Sequence, residues 1–133
     1  MSEEPEDVAP EDTDISHVEG DAVLNLLVHL AEKGAGAGVT VYSQGLTFTG
    51  TLISRKGYLE KNLRRCQDHV PALAVLFEEL LKHVDPVDDD APAPDYNYVH
   101  LDNAMTMTPG QNGMPTGGTT MRITRDKIIG WSL

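Results

Sequence analysis

Cys66 is the single cysteine of the chain, and it directly follows Arg64 and Arg65. Adjacent cations can lower the pKa of a thiol enough to make it a nucleophile. A thiol enzyme also needs a general base held by a third group, and no recognisable nucleophile motif surrounds this residue. We therefore expect Cys66 to be a small, core-facing residue on a helix, and the protein not to be an enzyme.

The histidines and aspartates do not follow the spacing of a metal site. His69 and His83 are 14 residues apart, too many helical turns to share one ion. The other three histidines fall in different predicted elements: His17, His29 and His100. The aspartates at 88–90 lack the alternation and the glycine of a calcium loop. We expect no bound metal.

Two glycine-rich stretches could be taken for phosphate-binding loops. Residues 34–38 follow a predicted helix instead of preceding one, so the helix N-terminus that would hold a phosphate is missing. Residues 108–118 contain no Lys and no Asp. We interpret the first stretch as a hinge and the second as a bulged connection, and we expect no cofactor.

Half of the basic residues lie within eleven positions: Arg55, Lys56, Lys61, Arg64 and Arg65. Such a cluster can contact nucleic-acid phosphates. However, nine acidic residues lie in 1–21 and five in 85–95, without any Lys or Arg in either segment. These segments would repel nucleic acid, so we expect the cluster to bind an acidic neighbour or the chain's own acidic tail.

The charge distribution also suggests how the chain is divided. Outside the two acidic segments, 7 acidic residues face 10 basic ones, so the part expected to fold is net +3 although the whole chain is −11. Residues 1–20 are too polar to offset the entropy of ordering. We predict a disordered acidic tail at 1–20 and one α+β domain at 21–133.

The N-terminus and the lone cysteine indicate the compartment. The acidic start resembles no Sec-type signal, and the most apolar stretch, 22–31, is about half as long as a membrane-spanning helix. A single cysteine cannot form an internal disulfide. We expect a cytoplasmic protein without membrane contact.

Periodicity predicts the order of elements. A helix should run over 22–33, with Asp21 as N-cap and glycines at its end. A hairpin of strands 39–44 and 46–53 should follow, with a tight turn at Gln44 and Gly45 and a bend at Gly50. Residues 58–84 have helical spacing, and Pro71 should open the second of two helices.

The last third of the chain returns to strands. Residues 96–107 are typical of a long strand, and 119–124 and 127–133 of two closing strands. The fold class expected is therefore α+β: a small, bent, five-stranded antiparallel β-barrel or sheet with an N-terminal helix and a helical insertion between strands 2 and 3.

Two stretches of this sequence resemble the strands of Sm-like and SH3-like small barrels. Residues 46–52 are similar to the second strand of Sm proteins and residues 99–104 to the third. The resemblance implies an Sm-like barrel and, as an alternative function, an RNA-binding module. Residues 54–58 and 122–125 replace the two turns that bind RNA in Sm proteins, so nucleic acid is not the favoured partner.

A second resemblance, over about residues 20–133, is to the U-type gas vesicle accessory proteins. It is carried by the order and spacing of four pieces: 38–41, 45–60, 98–104 and 122–133. The resemblance implies a non-catalytic role in gas vesicle assembly or clustering, with gas vesicle proteins as partners.

These observations lead to one functional prediction. We expect a homo-oligomeric accessory protein that acts by self-association and by contacts to a larger assembly. The residues expected to make the contacts lie at a strand edge within 39–44 and in the basic cluster: Val39, Val41, Arg55, Lys56, Lys61, Arg64 and Arg65.

Overall fold

The computed structural model describes residues 21–107, 114–115 and 119–133; the predicted tail at 1–20 and most of the predicted connection at 108–118 lie outside these residues. These described residues form three helices, α1 (Ala22–Glu32), α2 (Arg55–His69) and α3 (Pro71–Lys82). The strands are β1 (Gly38–Ser43), β2 (Leu46–Leu52), β3 (Tyr98–Met107), the two-residue β4 (Met114–Pro115), β5 (Met121–Thr124) and β6 (Gly130–Ser132). A 3₁₀ turn, Arg125–Lys127, separates β5 from β6. The predicted α+β class, the N-terminal helix and the helices between strands 2 and 3 are confirmed.

The sheet is antiparallel throughout and strongly bent. Its strand order is β4-β3-β2-β1-β6, and β5 also pairs with β3. Since adjacent strands lie about 4.8 Å apart, β5 and β6 would be about 19 Å apart in a flat sheet. Residues 125–129 connect them, and a 3₁₀ turn plus two extended residues spans only about 13 Å. The sheet therefore has to curl, but β5 and β6 do not pair within the described residues, so it is an open sheet and not a closed barrel.

Helix α1 covers one side of the sheet. Its N-cap is Asp21, whose carboxylate accepts the backbone N–H groups of Val23 at 2.8 Å and Leu24 at 3.1 Å. Gly34, with a φ of 98°, follows its end. The main core lies between this helix and the sheet and consists of Leu24, Val28, Ala31, Val39, Val41, Leu52, Val99, Leu101, Ala104 and Ile123.

The hairpin and the helical insertion form where the sequence predicts them. Gln44 and Gly45 both have positive φ, 51° and 82°, as a two-residue type I′ turn requires. The β2–β3 register shifts at Gly50, which confirms the predicted bend. Ser54 caps α2 by accepting the N–H of Gly57, so this helix starts three residues earlier than predicted. Pro71 opens α3, as predicted.

Gly36 is a position where a side chain cannot be added without displacing backbone. A Cβ built there would lie against the carbonyl oxygen of Leu52, because the segment before β1 runs beside the end of β2. We expect Gly36→Ala to lower the free energy of unfolding by about 1–3 kcal/mol. Urea denaturation checks this.

Gly38→Ala is the matched control, because a Cβ at Gly38 meets nothing within 4 Å. It should be neutral or slightly stabilising. If both variants lost the same free energy of unfolding, the close approach of Gly36 to β2 would not explain the effect of Gly36→Ala.

Candidate functional site

The strand edge that the sequence predicted within 39–44 is not exposed in this fold. The exposed fractions of Val39 and Val41 are 4% and 0%, and both residues belong to the core. Strand β1 is paired on both sides, with β2 and with β6. The prediction of an exposed edge at 39–44 is wrong, because the three-residue β6 covers that edge. These two side chains are not available for a contact with another molecule.

The basic cluster is divided between two surfaces of the molecule. Arg55 lines a large cavity beside β3, whereas Lys56 is exposed and lines neither depression. Three other members line a smaller depression: Lys61, Arg64 and Arg65. Asp102 lies in the same depression, 3.2 Å from the ammonium of Lys61. The five residues therefore do not form one continuous positive patch.

A buried polar network connects α1, the loop before β3 and the 3₁₀ turn. The side chain of Asn25 donates to the carbonyl oxygen of Pro94 at 2.9 Å and accepts the N–H of Tyr96 at 2.9 Å. Arg125 donates to Asn25 Oδ1 at 2.5 Å and to Asp95 Oδ1 at 2.6 Å. Asn25 and Arg125 are both buried. The network fixes the last residues of the acidic loop at 85–95 against the body of the protein.

Next to this network, and sharing Pro94, Asp95 and Tyr96 with it, lies a cavity of about 520 Å³. Its walls are the end of α1, the start of α2, the loop at 85–97 and the neighbouring strands β3 and β5. His29 Nδ1 is 2.6 Å from the hydroxyl of Tyr96, which fixes one wall. Burial, with a further contribution from Glu32, raises the pKa of the Tyr96 phenol, which therefore stays protonated at neutral pH.

His100 forms the buried part of the cavity wall. It stacks at a tilt against Tyr58, with ring centroids 4.6 Å apart. Burial, followed by the positive charges of Arg122 and Arg55, lowers the pKa of His100 from 6.5 to about 4. Its Nε2 has no hydrogen-bond partner among the described residues. The imidazole is thus neutral at physiological pH and carries an unsatisfied polar atom.

Two helices present apolar side chains that nothing in the described chain covers. Helix α3 packs mainly on α2, and its outer side is apolar at i, i+3 and i+7: Leu73, Leu76 and Leu80. Their exposed fractions are 45%, 52% and 42%. Helix α1 has a similar half-exposed stripe: Val23, Leu26 and Leu30. Exposed apolar stripes of this kind are typical of contact surfaces between molecules.

The remaining residues considered for chemistry lie apart from one another. Cys66 is half-buried on α2, and His69 and His83 are exposed at the ends of α2 and α3. In the part of the chain that the structure describes, no three His, Cys, Asp or Glu side chains come together as a metal ligand set. Within the same residues, no helix is long and apolar enough to cross a membrane.

These features define a small α+β protein with a bent antiparallel sheet, a helical hairpin and surfaces suited to binding. The chain belongs to the family described as "Gas vesicle protein GvpU-like", whose model matches residues 21–133. It is therefore a gas vesicle accessory protein, and the resemblance found in the sequence is confirmed. No curated protein and no solved structure gives a significant match.

Sequence reasoning missed both the buried network and the cavity. Asn25 lies on the apolar face of α1, and a polar residue in that position was the available signal for the network. His29 and His100 were assigned to separate elements, and they do lie in separate elements, but both line the cavity. Their approach depends on how the loop at 85–97 packs, which the sequence pattern does not specify.

Proposed function

We propose that the protein acts in gas vesicle assembly or clustering by self-association and by contacts to the vesicle, without catalysing a reaction. The observation that carries the proposal is the uncovered apolar side of α3, together with membership of the gas vesicle family. A helix in a small water-exposed protein normally turns such a stripe toward its own core. Here the stripe faces outward, and a second copy of the chain is the occupant we propose.

The shape of α3 suits a contact between two copies. Side chains at i, i+3 and i+7 form the ridge that packs into the groove of a facing helix. The same face of two copies can meet about a two-fold axis, because such an interface is self-complementary. Ala74, on the inner side of α3, is buried against α2. This contact holds the helix in place while a second copy covers its outer side.

Charge should oppose this contact at low salt. The whole chain carries −11, so two copies repel each other, and salt at physiological strength screens this repulsion beyond about 8 Å. Surface ion pairs are worth only about 0–1 kcal/mol each, so their loss in salt is the smaller effect. We therefore expect assemblies to grow as salt is added.

Replacing part of the α3 stripe should prevent self-association. We expect the double variant Leu76→Asn, Leu80→Asn to stay monomeric under conditions in which the unaltered protein forms larger particles. Light scattering after size-exclusion chromatography, over a series of salt concentrations, measures this. Circular dichroism should show unchanged helix content, because both side chains are exposed.

The double variant Val23→Asn, Leu26→Asn is the matched control, since it removes similar apolar surface from α1. It should associate like the unaltered protein. If both variants associate normally, or if particles shrink as salt is added to the unaltered protein, the proposed contact is wrong.

A flotation experiment with purified gas vesicles tests the role itself. The unaltered protein should float with the vesicles and cluster them, as microscopy can record. The α3 double variant should fail to cluster vesicles. Clustering by this variant, or no flotation of the unaltered protein, would contradict the proposed function.

A further inference from the structure

The cavity beside β3 has the size and lining of a small-molecule site, which the proposed accessory role does not require. Its volume of about 520 Å³ lies within the range of about 300–1,000 Å³ usual for such sites. Much of its wall is apolar or aromatic and consists of Pro86, Val87, Ala91, Pro92, Tyr96 and Tyr98. A ligand with an apolar body would therefore find a matching surface.

Two guanidinium groups line this cavity without a carboxylate partner. Arg122 lies over the ring of Tyr98, with its guanidinium carbon 3.6 Å from the ring centroid. This stacking fixes the plane of the group and leaves its N–H edge available. Arg55, at the start of α2, also lines the cavity. Within the described residues, neither guanidinium has an Asp or Glu oxygen within 4.0 Å.

The strand register places the stacked arginine beside the buried histidine. Arg122 of β5 is directly opposite His100 of β3, and Tyr98 is two residues away on the same face. The side chains of Val99 and Ile123 point to the other face, into the core. The cavity and the core therefore lie on opposite faces of the sheet at this point.

The four carboxylates of the cavity are not equivalent. Glu32 accepts the backbone N–H of Arg55 at 2.6 Å, and Asp95 pairs with Arg125 at 2.6 Å. Asp85 and Asp88 lie exposed on the loop. Arg55 and Arg122 are thus the lining cations that have no ion-pair partner among the described residues. The carboxylates of Glu32, Asp85 and Asp88 form no ion pair there either, so Glu32 keeps its negative charge on the α1 wall.

We propose that this cavity binds a small organic anion, whose carboxylate or phosphate group is held by Arg55 and Arg122 and whose body lies against the proline and tyrosine wall. Planar guanidinium groups bind both kinds of oxyanion through paired N–H donors. The effect of both arginines on the pKa of His100 supports their closeness to the buried imidazole. The proposal is independent of the α3 contact surface, since no α3 residue lines the cavity.

Calorimetric titration with benzoate and with phenyl phosphate tests the site and distinguishes the two head groups, because the probes share the same ring. Chloride at equal ionic strength is the reference. Arg55→Gln and Arg122→Gln should each weaken binding by about tenfold or more, the loss expected for a charge-assisted hydrogen bond. Arg122→Lys should bind less well than the unaltered protein, since it loses the planar fork.

Arg64→Gln is the matched control, because Arg64 lines the other depression and should leave the affinity unchanged. The ring signals of His100 in an NMR spectrum should move on binding. Those of His69, fourteen residues along α2 from Arg55 or about 21 Å, should not. Asp88→Asn should tighten binding by removing a like charge.

Two results would overturn the proposal. One is equal affinity in the unaltered protein and the Arg55 and Arg122 variants, with both variants folded by circular dichroism. The other is no heat and no His100 shift with either probe at about 10 mM, above the millimolar affinity that a weak site would show. Either result leaves the self-association of the chain unaffected, so the two proposals are tested separately.

Discussion

Asn25→Leu should lower the free energy of unfolding by about 3–5 kcal/mol. The substitution keeps the size of the side chain but removes its bonds to Pro94, Tyr96 and Arg125. Two bonds to backbone are worth about 1 kcal/mol each, and a bond to a charged group about 1.5–3 kcal/mol. The loss is a large part of the total stability of a small domain, about 5–15 kcal/mol. Urea denaturation monitored by Trp131 fluorescence measures it.

Asn97→Leu is the control for this prediction, because Asn97 is an exposed asparagine in the same loop and its side chain forms no hydrogen bond with the described residues. It should change the free energy of unfolding by less than about 0.5 kcal/mol. A double-mutant cycle of Asn25→Leu with Arg125→Met should show coupling, since the two side chains share a bond. Equal effects of Asn25→Leu and Asn97→Leu would show that the network does not stabilise the fold.

His100 should make the stability of the protein depend on pH between about 6.5 and 4. Its pKa is lowered from 6.5 to about 4 by burial, then by Arg122 and Arg55. In that interval the unfolded chain binds a proton at this residue and the folded chain does not. The stability contribution is therefore complete above pH 6.5 and is lost as the pH falls to about 4, by about 3 kcal/mol in total.

Carboxylates also make the stability of a protein depend on pH. Comparing His100→Leu with the unaltered protein separates the contribution of His100 from theirs. At pH 7 the variant should be as stable or more stable, because it removes an unsatisfied buried nitrogen. On going to pH 4 it should lose about 3 kcal/mol less than the unaltered protein. His69→Gln, at an exposed histidine, should follow the unaltered protein. Parallel curves for His100→Leu and the unaltered protein would refute the assignment.

Local patterns specify most of the helices and strands of this fold. The helix N-cap at Asp21, the type I′ turn at Gln44 and Gly45 and the proline at position 71 each act within a few residues, so their effect can be predicted from the chain alone. The strand order cannot. Strand β6 has only three residues, yet its pairing covers the edge of β1 that the sequence predicted to be exposed.

The candidate sites depend on contacts that are distant in the sequence. Asn25 and Arg125 are 100 residues apart, and the pairing of His100 with Arg122 follows from a register that no local pattern determines. The apolar stripe of α3 was visible as helical spacing, but the spacing does not reveal which half of an apolar helix is covered. The basic residues of the cluster lie close together in the sequence. In the fold they line different depressions, because they lie at different positions on α2.

The pairing of β6 with β1 also determines when this protein can fold during synthesis. Trp131 donates to Asp21, the N-cap of α1, at 2.5 Å, so this helix is held by a residue 110 positions further along the chain. A nascent chain still attached to the ribosome can form α2 and α3 from neighbouring residues, whereas the sheet stays incomplete until residue 132 has left the exit tunnel. Until then the edge of β1 has no partner and remains accessible to chaperones, and contacts of such long range make folding slow compared with that of helical bundles.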